Sequence, residues 1–160
     1  PLPQSTLPPR LPPAPTSATP TPTPTPSAAP APATGGYMDV VAEWRAKLGL
    51  GVLELSSKLE ANAMKTVVDS AGQMVHELNV GTMAQVLAPG TPDLTGFTKC
   101  FVGGWLCEIP TLPGLDGVCS TASNGWSYEG QTGHADILIN TAYKQIGCAN
   151  HDGIWCCDLA

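Results

Sequence analysis

Two histidines and a glutamate stand out by type and by what surrounds them. His134 follows Thr132-Gly133 and opens a mostly apolar run. Glu108 closes Trp105-Leu106-Cys107-Glu108, and His76 lies far upstream of both. Imidazole and carboxylate groups are what a metal site or an acid/base site uses. They can converge only if the chain folds back on itself. No G-x-S-x-G nucleophile turn and no H-E-x-x-H helix is present. His76-Glu77 lacks a second histidine at the right spacing. A third histidine, His151, falls in a predicted turn and is expected to be solvated.

Composition bounds the rest. The chain has 160 residues, 42% of them hydrophobic, which is one domain's worth. The first 36 residues stand apart, because they hold 13 of the 17 prolines and end in Gly35-Gly36. The run from Thr19 to Pro26 alternates Thr and Pro. Proline lacks the N–H and fixes φ, so residues 1–36 are expected to form a disordered or polyproline II linker. A Ser/Thr/Pro-rich stalk is also a typical O-glycosylation substrate, which suggests secretion. A chain opening on Pro1 reads as already processed. Residues 37–160 are expected to be the folded domain. The net charge is −6, and Arg10 is the one charged residue of the stalk. An acidic domain without a Lys/Arg cluster argues against nucleic acid and against anionic membrane surfaces. No run of 18 apolar residues exists to span a bilayer.

Six cysteines, 100, 107, 119, 148, 156 and 157, crowd the last 61 residues. Six cysteines allow fifteen pairings. No C-x-x-C is present, so three disulfides in an oxidising compartment are expected rather than zinc or redox chemistry. Cys107–Cys119 would close a Pro/Gly loop. Cys148–Cys157 would staple a hairpin. Cys100–Cys156 is left by elimination.

The elements that must position these groups are signalled by periodicity. Tyr37, Val41, Trp44 and Leu48 predict a helix stopped by Gly49. Ser57-x-x-Glu60 reads as a capping box before Leu59, Ala63 and Val67, with Gly72 ending that helix. Gln73–Leu78 alternates like a short strand. Thr82–Leu87 reads as a short helix before Pro89-Gly90. Residues 97–108 read as helix, 109–131 as loop, and Ala135–Tyr143 as helix. Gln145–Asn150 and Ile154–Leu159 read as strands around an Asp152-Gly153 turn. The fold class expected is α+β, layered helix/sheet/helix.

These residues, in this order, resemble a known family. Arg45, Gly49, Leu53, Leu59 and Ala63 fit an opening pattern R-x3-G-x3-L-x5-L-x3-A. Trp105-x-x-Glu108 fits W-x-x-E, and Gly133-His134 fits the start of G-H-[YF]-T-Q. Gly147-Cys148-Ala149 fits G-C-A, and Cys157-Asp158-Leu159 fits the end of V-C-N-Y. The pattern resembles the CAP superfamily: cysteine-rich secretory proteins, antigen 5 and pathogenesis-related 1. With its stalk, the chain is most similar to divergent secreted proteins of fungi.

The resemblance implies a disulfide-stapled α/β/α sandwich whose sheet is antiparallel. It implies a cleft of two His and two Glu that can hold Zn²⁺, here His76, Gln85, Glu108 and His134. Gln85 stands where the family's G-E-N-L places Glu. His76 and His134 would be the metal ligands, with Glu108 orienting a ligand or acting as a base. No cofactor is required by this reading. The resemblance also implies a secreted, extracellular, non-enzymatic protein. It would bind a small lipid or sterol, or an extracellular protein partner, as an effector or wall-associated factor. Ile109, Leu112, Leu115, Val118 and Trp126 form the apolar loop expected to take the lipid. The alternatives are a zinc-dependent hydrolase and a structural wall module.

Overall fold

A computed structural model describes residues 36–160. The linker expected over residues 1–36 therefore lies almost wholly outside the described residues. The elements run α1 (Tyr37–Lys47), β1 (Glu54–Leu55), α2 (Ser57–Asp69), β2 (Ala84–Pro89), α3 (Leu94–Thr98), α4 (Cys119–Ala122), α5 (Gly133–Ile139), β3 (Gln145–His151) and β4 (Ile154–Leu159). Beyond α3 the chain stays helical. It passes through a π-helical stretch, Lys99–Trp105, into a 3₁₀ turn, Leu106–Glu108.

The sheet has the order β1-β3-β4-β2. β4 is antiparallel to both β3 and β2, and only the two-residue edge strand β1 pairs parallel, with β3. Asp152 and Gly153 both have positive φ, 52° and 73°, which is the two-residue turn that matches strand twist. Alternation along the strands then splits the core in two. Ile154 and Cys156 face α2, with Ala149, Leu87, Ala63 and Val67. Trp155, Cys157 and Leu159 face the other way, onto α1 and the helical segment 94–108. Tyr37, Phe97, Phe101, Trp105 and Trp155 chain ring to ring on that side. The result is the expected helix/sheet/helix sandwich.

Disulfides Cys107–Cys119 and Cys148–Cys157 form as expected. Cys100–Cys156 does not, since both cysteines are free and buried. The reason is the same alternation. Cys156 points to the α2 side of the sheet, whereas Cys100 lies in the core of the opposite face. No side chain of that length reaches through a sheet.

Four local readings are also corrected. Thr82–Leu87 is not a helix, because residues 84–89 form β2 with six paired positions on β4. Its residues 84–88 are all buried, and such a run carries no period to tell strand from helix. Gln73–Leu78 forms no strand. It has no ladder partner, and its apolar members Met74, Val75 and Leu78 are exposed. The cap of α2 is Ser56, one residue before the expected Ser57, and its hydroxyl accepts from Leu59 N–H at 3.2 Å. The last helix starts and stops early, covering Gly133–Ile139 rather than Ala135–Tyr143.

Candidate functional site: a two-histidine cleft and an apolar groove

The cleft is built at the end of the sheet where β2, the helical segment 94–108 and α5 meet. Glu108 ends that segment and is nearly buried, at 8% exposure. Its Oε1 accepts the backbone N–H of His134 at 2.7 Å and of Ala135 at 3.1 Å. These are free amides in the first turn of α5, whose own N-cap residue, Thr132, makes no side-chain cap. The carboxylate thus caps a helix of another element and sits at its positive end. Its Oε2 accepts from His134 Nδ1 at 3.0 Å. A carboxylate only accepts, so Nδ1 is the donor.

The second half is organised by Gln85, buried on β2. Its side chain clamps the segment 73–78 at Glu77, accepting from Glu77 N–H at 3.1 Å and donating to the Glu77 carbonyl at 2.9 Å. That pair fixes which end of the amide is oxygen. Oε1 then faces His76 Nδ1 at 3.0 Å, so Nδ1 is the donor there as well. Behind Gln85 lie Thr66 and the fully buried Asp158, at 3.1 and 2.8 Å from Nε2. Burial pushes the Asp158 carboxyl above the usual carboxylate range, against the lowering effect of its Thr82 and Gln85 hydrogen bonds. His76, Gln85, Gln131, Thr132, Gly133, His134 and Ile137 line a cavity of about 330 Å³.

Residues 38–158 match the model of the CAP family, described as the cysteine-rich secretory protein family. The chain belongs to the CAP family. Among solved structures it is similar to an extracellular protein containing a SCP domain from Bacillus anthracis str. Ames, at 13% identity and a TM-score of 0.46. That likeness covers 77% of this chain and 38% of the other, so the chain spans well under half of that protein's length. No curated protein matches it. CAP proteins are typically extracellular and generally non-enzymatic, and two disulfides fit an oxidising compartment. No described helix is long and apolar enough to cross a membrane.

The expected CAP cleft residues are brought together: His76, Gln85 and His134 line one cavity, and Glu108 holds His134. The donor set does not fit a resident zinc ion. Both lone pairs of Gln85 Oε1 are taken, by Glu77 N–H and His76, and both Glu108 oxygens are taken on α5. Two imidazoles remain, and among the described residues no three His, Cys, Asp or Glu side chains form a metal-holding group. His151 lies in the hairpin, exposed beside Asp152. Sequence reading missed Thr66, Thr82 and Asp158. The signal for Asp158 was a lone charge in the otherwise apolar strand Ile154–Leu159.

The apolar loop residues separate. Leu115 is a core residue, and Leu112, Val118 and Trp126 pack half-buried against that core. Trp126 lies over the Gly103-Gly104 pair, where a Cβ on Gly104 would sit 2.9 Å from its ring. Ile109 is half-buried at the end of the 3₁₀ turn. Of the five, only Val118 lines an apolar groove of about 380 Å³. Trp44 of α1, Leu94, Val102 and Ala122 form the other apolar walls, and Thr95, Thr98 and Lys99 add polar groups.

Proposed function

We propose that this CAP protein is a secreted, non-enzymatic module that binds one small apolar ligand, a sterol or a single acyl chain, in the groove between α1, α3 and α4. The observation that carries this reading is the groove itself. Its volume falls in the range of ligand sites, and its walls are mostly apolar with a few polar groups, as such sites require. Lys99 would pair with a fatty-acid carboxylate, while Thr95 and Thr98 would serve a sterol hydroxyl. Leu94 is exposed beside it, an apolar side chain that a ligand would cover.

The test fills the groove without cutting the core. Ala122→Trp should abolish binding of a fluorescent sterol or fatty acid and leave the melting temperature unchanged. Trp126→Ala should leave binding near the wild-type level. If Ala122→Trp binds normally while Trp126→Ala does not, the site lies under the loop instead.

A further inference from the structure

Gln85 and Asp158 are direct partners in the β2–β4 register. Gln85 Nε2 donates to Asp158 Oδ1 at 2.8 Å and to the Glu77 carbonyl at 2.9 Å. Asp158 has no exposed surface. Its other bonds come from the Thr82 hydroxyl at 2.6 Å and the Cys156 thiol at 3.2 Å. All its partners are neutral donors. A buried carboxylate in such a setting restricts what can face it, because an acceptor there is left repelled and unsatisfied. A glutamate at position 85 would put an oxygen where Nε2 now stands, against Asp158 and the Glu77 carbonyl together, with the Thr66 hydroxyl as its one donor there. While Asp158 is ionised, residue 85 must donate.

The consequence reaches the cleft. With Nε2 committed inward, Oε1 is turned to Glu77 N–H and His76 and offers nothing more. G-E-N-L and V-C-N-Y place the carboxylate on β2 and the amide on β4. This chain has Gln85 on β2 and Asp158 on β4, the same pair exchanged. We propose that Asp158 sets the ligand specificity of the cleft: by requiring a donor at position 85, it withholds the carboxylate a divalent cation needs. It leaves a cavity lined by two imidazoles and no carboxylate, which suits a ligand bearing hydroxyl or amide groups. This inference does not rest on the apolar groove.

Four proteins test it: wild type, Asp158→Asn, Gln85→Glu, and the double variant. Each is melted and titrated with Zn²⁺ by calorimetry. Asp158→Asn should fold and bind zinc no better than wild type. Gln85→Glu should melt at least about 5 °C lower, a substantial loss for a domain of this size, or fail to fold. The double variant should recover at least half of that loss. It should also bind zinc at least about tenfold more tightly than wild type, the scale on which such partners tune metal affinity. Adding His134→Ala to the double variant should remove the gain. The proposal is overturned if Gln85→Glu alone melts like wild type, if the double variant is no more stable than the single, or if it gains no zinc affinity. Zinc binding by Asp158→Asn equal to that of the double variant would overturn it as well.

Discussion

Glu108 shows how one residue serves two ends. Its carboxylate satisfies two amides of α5 and orients His134, so its loss leaves buried donors without an acceptor. Glu108→Ala should cost roughly 2–4 kcal/mol in urea unfolding, since hydrogen bonds to a charged group are the strong ones. Glu108→Gln keeps one acceptor oxygen and should lose less; equal losses would refute the capping role. Asp158 makes a pH prediction. Its folded carboxyl is raised above the unfolded value by burial, so the folded state binds the proton more tightly. The stability this adds is complete below the unfolded value of about 3.9 and is lost as pH rises through the folded value. Asp158→Asn removes that dependence, so the variant should gain on wild type between about pH 4 and neutrality. A difference in melting temperature that stays flat with pH would contradict it. His76, Glu108 and His134 were legible in the sequence because their types are conspicuous. Asp158 was not assigned a role, because a strand residue's partner is known only once the register is.

At the scale of elements, α2 lies against β3 at Gly147. A Cβ there would collide with the backbone of Leu59 and Glu60, near the start of that helix. The strand has no freedom to retreat, being paired with β4 along its length. Gly147→Ala should therefore destabilise by roughly 1–3 kcal/mol, the usual cost of overpacking, measured as a shift in the urea midpoint. An unchanged midpoint would mean that α2 slides. This contact and the turn at Asp152-Gly153 explain why the C-terminal hairpin could be read from sequence, since its strands, turn residues and staple all agree. β2 could not, because residues 84–88 are buried on both faces and show no alternation. The segment 73–78 misled in the opposite sense. Its alternation is real, but what holds it is the side-chain clamp of Gln85 rather than a neighbouring strand.

The described residues form a sheet with two unequal cores, and that division governs the cysteines. Cys107–Cys119 ties the loop to the helical segment 94–108, and Cys148–Cys157 joins facing positions of β3 and β4. Cys100 and Cys156 are left on opposite sides of the sheet, each without exposed surface. Burial pushes the Cys100 thiol up to about 12. Burial, together with the nearby Asp158 carboxylate, also raises that of Cys156. Thiolate is the reactive form, so both should be inert while the fold stands. Thiol labelling should find none reactive in the native protein, two in denaturant without reductant, and six after reduction. The intermediate count is decisive. No free thiol in denaturant would require a third disulfide, which in turn would require β4 to present Cys156 to the other core. A one-residue slip of that kind would also turn Trp155, Cys157 and Leu159 away from the aromatic core they now complete.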